Sequence, residues 1–129
     1  MFQIFQQDTG SLVTANLVPS ADQSYVTVRE EVLKEVLYGD CSEEDVALAK
    51  ALIVPQATAP LATPVNTSDA NFGRVPRVYI ECLRDRALTP SFQKRLYAVL
   101  PCQKVISMDT GHCPFFSAPR ELAAHLAAL

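Results

Sequence analysis

An apolar run, a small-residue loop and a single histidine follow one another in residues 104–116, KVISMDTGHCPFF. The apolar residues predict a short β-strand, and Thr110 and Gly111 predict a loop that presents His112 just before a helix. The same layout occurs earlier, in residues 78–85, VYIECLRD, where an apolar run leads into a charged loop that presents Asp85. Two parallel strands that each end in a titratable residue are typical of α/β active sites.

The residues around these strands predict the helices that a parallel pair requires. Thr89 and Pro90 are typical N-cap and first-turn residues, and Ser117 is expected to cap a last helix. The inner face of the first helix is predicted from apolar residues at helical spacing: Phe92, Leu96, Val99 and Leu100. The inner face of the last helix is predicted from Leu122, Leu126 and Leu129. The order strand, helix, strand, helix implies a parallel pair with a right-handed crossover.

The first half of the chain predicts short antiparallel strands followed by helices. Residues 12–18 and 25–28 are β-like, whereas residues 2–6 are compatible with either a short strand or a frayed leader. Apolar spacing predicts a helix over residues 29–38, and Ser42, followed by three acidic residues, predicts the start of another. Pro55, Pro60, Pro64 and Pro76 exclude a long helix or a central strand between them.

Length and composition bound the domain organisation. With 129 residues, of which 49% are hydrophobic and 19% charged, we expect one globular domain at most. A proline-rich connector over residues 55–76 marks the boundary between an N-terminal appendage, residues 1–73, and a C-terminal unit, residues 74–129.

Charge and cysteine usage narrow the function classes. A formal net charge of −3 without a basic cluster argues against nucleic acid as a partner. No apolar run is long enough to span a membrane, and the N-terminus lacks the flank and cleavage site of a signal peptide. The four cysteines include no C-x-x-C pair, so we expect a reducing, cytoplasmic location and neither a metal site nor a cofactor.

Asp85 and His112 each have a simple structural explanation when taken alone. A loop histidine often bonds a backbone carbonyl, and an aspartate between two arginines can be a solvated surface charge. As a pair at the ends of neighbouring strands they can meet, and the acid then fixes the imidazole tautomer and stabilises the imidazolium. We therefore hypothesise a catalytic pair. Asp109 is an alternative acid that would have to fold back, and His125 is expected to be structural.

Residues 79–93, YIECLRDRALTPSFQ, and residues 105–112, VISMDTGH, resemble the C-terminal part of the α/β-hydrolases. The resemblance is to the branch that contains plant methyl esterases, hydroxynitrile lyases and bacterial esterases. In that branch an acid and a Pro-x-x-Gln stretch follow the seventh strand, and a small-residue–His loop follows the eighth. The resemblance implies that Asp85 is the triad acid and His112 the triad base.

The resemblance also implies a fold. Residues 12–54 look like part of the cap that this family inserts after its sixth strand, so we call residues 1–73 the cap-like segment. The expected architecture is α/β: the C-terminal portion of an α/β-hydrolase fold, a parallel strand–helix–strand–helix unit, preceded by a small cap of short antiparallel strands and helices.

The sequence departs from this family at the nucleophile. Triad order in the fold is Ser, Asp, His, but no G-x-S-x-G precedes Asp85. Ser107, Ser117 and Cys113 lack the strained elbow that exposes a nucleophile, so we expect no internal substitute. The family's lyases carry lysine directly after the histidine, where this chain has Cys113, and this difference favours ester hydrolysis. Leu88 and Cys113 are candidate residues of the substrate pocket.

We therefore expect a component of a carboxylic ester hydrolase that is inactive alone, because loss of the serine costs roughly 10⁶ in kcat. A small ester is the expected substrate once a serine-bearing half is supplied. The strand that carries Asp85 would have an open edge, so we expect a protein partner or self-association there. The alternatives are a non-catalytic interaction or scaffold protein and a small-molecule-binding protein derived from a hydrolase.

Overall fold

The computed structural model describes residues 7–129, so the strand or leader considered for residues 2–6 lies outside the described residues. The strands are β1 (Leu17–Pro19), β2 (Tyr25–Val28), β3 (Gln56–Ala57), β4 (Val78–Cys82) and β5 (Lys104–Met108). The α-helices are α1 (Leu12–Ala15), α2 (Leu33–Leu37), α3 (Glu43–Leu52), α4 (Thr58–Ala62), α5 (Pro90–Val99), α6 (Pro114–Ser117) and α7 (Pro119–Ala127). Short 3₁₀ turns occupy Glu30–Val32 and Phe72–Arg74.

The C-terminal unit is built on the parallel pair β4–β5, as the sequence predicts. Val78 lies opposite Lys104 and Cys82 opposite Met108. Helix α5 makes the crossover that a parallel pair needs, and it begins at the predicted place. The Thr89 side chain accepts the N–H of Phe92, and proline occupies the first turn. The pair β4–β5 therefore brings the loops after both strands to the same end of the sheet.

Three predictions about the C-terminal helices are wrong in part: the inner face of α5, the inner face of α7 and the cap of α7. Phe92 is buried, but Val99 is 80% exposed and Leu100 is exposed as well. Leu126 and Leu129 are also exposed. Neighbouring strands lie only about 4.8 Å apart, so the two strands of this sheet are too narrow to cover the full length of these helices. Ser117 does not cap α7: it ends α6, and the N-cap of α7 is Ala118, with no side-chain hydrogen bond.

The cap-like segment contains an antiparallel sheet in the order β1-β2-β3. The strand predicted over residues 12–18 is wrong in its first half, because Leu12–Ala15 forms a helix. Two contacts explain the difference: the Ser11 hydroxyl accepts the N–H of Thr14, and the N–H of Leu12 donates to the Arg86 carbonyl. The connector contributes β3, which pairs with β2 at the edge of the sheet.

Helix α3 begins where Ser42 predicts it, because the Ser42 hydroxyl accepts the N–H of Asp45. The helix predicted over residues 29–38 is divided into a 3₁₀ turn and α2. The buried apolar residues of the cap-like segment are Val26, Leu33, Val36, Val46 and Ala49. Those of the C-terminal unit are Cys82, Ala87, Phe92, Ile106, Met108 and Cys113. Within residues 7–129, no helix combines the length and the apolar character needed to cross a membrane.

Candidate active site

Asp85 and His112 meet beyond the C-terminal ends of β4 and β5. The ladder between these strands continues past their ends, because the N–H of Arg84 donates to the carbonyl of Thr110 over 2.9 Å. Oδ2 of Asp85 consequently lies 2.9 Å from Nδ1 of His112. The carboxylate is buried, whereas the His112 side chain is 38% exposed. The two residues that the sequence identifies are therefore in direct contact.

The other oxygen of Asp85 is held by its own loop. Oδ1 accepts the N–H groups of Ala87 and Leu88, each over 2.8 Å. A buried carboxylate needs such partners, because an unpaired charge in the protein interior is costly. These two bonds also fix the orientation of the side chain, so that Oδ2 points at His112.

Gln93 supports this loop, and the sequence reasoning did not identify its role. The side chain is 2% exposed; its Oε1 accepts the N–H of Cys82, and its Nε2 donates to the carbonyls of Cys82 and Leu88, over 2.8–3.0 Å. The amide thus joins α5, the end of β4 and the Asp85 loop. The signal in the sequence was its place as the glutamine of the Pro-x-x-Gln stretch, directly after Phe92.

A second support comes from the start of the cap-like segment, and sequence reasoning missed it too. The buried carboxylate of Asp8 accepts the N–H of Thr89 over 2.8 Å and its hydroxyl over 2.7 Å. The Ser11 hydroxyl donates to the carbonyl of Ala87 over 2.7 Å. Asp8 and Ser11 therefore hold the Asp85 loop at Thr89 and Ala87.

His112 lines a cavity of about 470 Å³ between the cap-like segment and the C-terminal unit. Most of the lining is apolar and includes Val13, Leu17, Val26, Ile53, Leu61 and Leu88. A mostly apolar cavity of several hundred Å³ with a few polar groups is typical of small-molecule sites. Leu88, a candidate from the sequence, is among the residues that line this cavity.

Cys113 lies elsewhere: it is 5% exposed and is not among the residues that line this cavity. Burial, with smaller contributions from nearby acidic groups, raises the pKa of its thiol to about 12. A thiol nucleophile reacts as the thiolate, and the raised pKa disfavours that form of Cys113 at neutral pH.

The remaining candidates from the sequence lie apart from the pair. The Asp109 side chain is 79% exposed and contacts Nε of Arg84 over 3.0 Å, so it is not the acid that contacts His112. His125 lies on α7, 3.7 Å from Glu121. In residues 7–129, no group of three or more His, Cys, Asp or Glu side chains is arranged to hold a metal ion.

Comparison with known sequences connects this chain to esterases. No family model matches it. It is 34% identical over 100 residues to the pyrethroid hydrolase of Sphingobium wenxiniae, a match that covers 77% of this chain and 35% of that protein. It is 31% identical over 111 residues to methylesterase 7 of Arabidopsis thaliana, covering 84% of this chain and 43% of that protein. The chain therefore spans less than half the length of these relatives.

Solved structures share the architecture. Polyneuridine aldehyde esterase is 28% identical with a TM-score of 0.74, over 81% of this chain and 42% of that one. A pyrethroid hydrolase from Sphingobium faniae is 30% identical with a TM-score of 0.75, over 88% of this chain and 46% of that one. Methylketone synthase I of tomato shares the fold over 98% of this chain, with a TM-score of 0.80 at 21% identity.

Proposed function

Because the chain belongs to the α/β-hydrolases and has the fold of their C-terminal part, we propose that it contributes Asp85 and His112 to a Ser-His-Asp triad that hydrolyses carboxylic esters. The observation that carries this proposal is the 2.9 Å contact between Asp85 Oδ2 and His112 Nδ1 beside an apolar cavity. With Nδ1 engaged by the carboxylate, Nε2 is the nitrogen left to exchange a proton with a nucleophile.

The proposed chemistry assigns two proton transfers to His112. Nε2 takes the hydroxyl proton of a serine as its oxygen attacks the ester carbonyl, and then gives that proton to the departing alcohol. In the second half it takes a proton from water, which attacks the acyl-enzyme, and returns that proton to the serine. Asp85 keeps the Nδ1–H tautomer in place and stabilises the imidazolium that forms in each half.

We propose that the serine comes from a segment outside these 129 residues, which contain no G-x-S-x-G. The hydroxyls and thiol considered as substitutes are engaged or buried. Ser107 donates to Glu81 over 2.7 Å, Ser117 donates to the carbonyl of Cys113, and the Cys113 thiol is buried. Donors for the oxyanion would come from the same outside segment.

The cavity suggests the substrate class. Its lining is apolar around His112, and Leu88 adjoins the Asp85 loop. We therefore propose a small carboxylic ester whose acyl or alcohol part is apolar; the name of methylesterase 7 indicates a methyl ester for that relative.

The sheet suggests where the serine-bearing segment binds. In the part of the chain described, β4 and β5 pair only with each other, and Leu83 and Val105 are exposed at 42% and 39%. An open edge with exposed apolar residues is a template for further strands. We propose that the serine-bearing segment adds its strands here; self-association of two copies through this edge is the competing outcome.

A chimera tests the function directly. The part of this chain that matches the Sphingobium wenxiniae pyrethroid hydrolase over 100 residues replaces the corresponding stretch of that protein, which supplies the rest. We expect the chimera to hydrolyse p-nitrophenyl butyrate and the chain alone to remain at the buffer rate. Asp85→Asn should lower kcat of the chimera by about 10⁴-fold, and His112→Ala by at least as much.

Two results would contradict the proposal. One is a folded, active chimera whose turnover survives His112→Ala. The other is turnover by the chain alone that His112→Ala abolishes, which would place the nucleophile inside these 129 residues. His125→Ala is the matched control, because His125 lies on α7 with Glu121 as its partner, and the substitution should leave kcat unchanged.

The cavity also supports a second candidate, a small-molecule-binding protein without turnover. It predicts that the chain alone binds apolar esters and that the bound ester remains intact in the chimera too. Two experiments separate the two functions. Calorimetry measures binding of a non-hydrolysable ketone in which CH₂ replaces the ester oxygen, and the esterase assay then measures turnover.

A further inference from the structure

Asp40 belongs to the cap-like segment, between α2 and α3, but its side chain reaches the loop that carries His112. Its Oδ2 accepts the N–H of Gly111 over 2.6 Å, and the side chain is only 13% exposed. We propose that Asp40 is a positioning residue that holds the His112 imidazole against Asp85. Its catalytic consequence rests on the proposed function, whereas its geometric consequence does not.

The geometry of the loop shows why this contact matters. Up to Thr110 the loop is attached to the residues that follow β4. The N–H of Leu83 donates to the carbonyl of Met108, and the N–H of Arg84 donates to the carbonyl of Thr110. At the next residue, Gly111, the N–H donates to Asp40 instead. His112 follows directly, so the last anchored amide before the imidazole is held by the cap-like segment.

Arg84 contacts both Asp40 and the start of the His112 loop. Its guanidinium donates to the carbonyl of Asp109 over 2.6 Å and lies 3.6 Å from Oδ2 of Asp40. The Arg84 guanidinium thus lies between the carbonyl of Asp109, at the start of the His112 loop, and the carboxylate of Asp40, which holds the loop at Gly111. Hydrogen bonds to a carboxylate are shorter and stronger than those between neutral groups, which suits a short loop that must present one side chain.

Gly111 is required by this contact for a steric reason. A Cβ at position 111 would lie 2.7 Å from Oδ1 of Asp40, closer than real Cβ contacts allow. The backbone of Gly111 is outside the left-handed region, so an alanine there meets no conformational penalty. The close approach of Asp40 is therefore what excludes a side chain, and the two positions should behave as one unit.

A second contact between the cap-like segment and the site provides a matched control. Glu35 on α2 lies 2.9 Å from the guanidinium of Arg86, and both side chains are more than half exposed. Glu35→Ala removes a carboxylate from the same segment without touching the His112 loop. Exposed ion pairs contribute little, so this variant tests for a mere loss of charge.

The experiment uses the 129-residue chain and follows the far-downfield Nδ1 proton of His112 by NMR, which reports the hydrogen bond to Asp85. Asp40→Ala should abolish this signal while the circular dichroism spectrum persists. Asp40→Asn should retain it, because the amide oxygen still accepts from Gly111, and Glu35→Ala should retain it as well. A parent-like signal in Asp40→Ala overturns the inference, as does loss of the signal in Asp40→Asn or Glu35→Ala.

The pair of positions gives a test that does not depend on the folding of Asp40→Ala. Gly111→Ala alone should abolish the signal, because the new methyl group displaces the Asp40 carboxylate. Where Asp40→Ala folds, Gly111→Ala added to it should cause no further change. A parent-like signal in Gly111→Ala would overturn the inference on its own.

Turnover by the chimera separates this inference from the proposed function. Displacement of a catalytic group by about 1 Å costs roughly 10²-fold, so Asp40→Ala should lower kcat by about that factor with little change in KM. If His112→Ala fails to affect the chimera, the proposed function is wrong and the NMR result for Asp40 still stands. If Asp40→Ala leaves the His112 proton unchanged, the triad proposal stands and this inference is wrong.

Discussion

Replacement of Gln93 by alanine should destabilise the chain more than any exposed substitution. The side chain is 2% exposed and makes three hydrogen bonds, two to the backbone of Cys82 and one to the carbonyl of Leu88. Alanine removes all three and leaves those backbone groups without these partners near the base of the Asp85 loop. The substitution therefore tests whether this amide is what holds the loop.

The expected magnitude follows from the number of bonds. A buried hydrogen bond contributes about 1 kcal/mol net, so three of them predict a loss of about 3 kcal/mol in the free energy of unfolding. Domains of this size are stable by only about 5–15 kcal/mol, so the effect is large on that scale. It should appear as a clear fall in the urea midpoint, followed by circular dichroism.

Two further variants separate hydrogen bonding from packing. Gln93→Met keeps most of the volume and removes the polar atoms, so it should lose nearly as much stability as Gln93→Ala. Gln103 is exposed, and Gln103→Ala should change the free energy of unfolding by no more than about 0.5 kcal/mol. A loss below 1 kcal/mol in Gln93→Ala, or a methionine variant as stable as the parent, would refute the reasoning.

Two other predictions concern stability. Asp8→Ala removes two hydrogen bonds to Thr89 and should cost about 2 kcal/mol in urea unfolding. Asp22→Ala, in an exposed turn, should cost less than half of that, and equal losses would contradict the anchoring role of Asp8. Burial raises the pKa of the Tyr79 phenol and the Cys113 thiol from 10.0 and 9.0 to about 12. The unfolded chain releases these protons first, so the free energy of unfolding should be unaffected below pH 9 and fall as the pH rises from 9 to 12. Tyr79→Phe should make the free energy of unfolding fall less steeply between pH 10 and 12. An equally steep fall would contradict the raised pKa of Tyr79.

Several elements could be predicted because their signals are local. Strands β4 and β5 are short, mostly apolar runs that lead into loops with charged residues. Helices α3 and α5 begin directly after their N-caps Ser42 and Thr89, whose side chains bond to the backbone only three residues away. The strand predicted over residues 12–18 failed in its first half for the opposite reason. Its start is held as a helix by contacts with Arg86 and Ala87, far away in the chain, as well as by the local Ser11 cap.

The amino-acid sequence by itself determined that an aspartate and a histidine follow two apolar strands, and the parallel order of those strands was enough to bring Asp85 and His112 together. Only the tertiary structure decided what holds them there: Gln93 on α5, Asp8 before the first helix, and Asp40 in the cap-like segment. The physical reason is that hydrogen bonds between a side chain and a distant backbone group leave no periodicity in the sequence. They depend on where the packed elements place the two atoms.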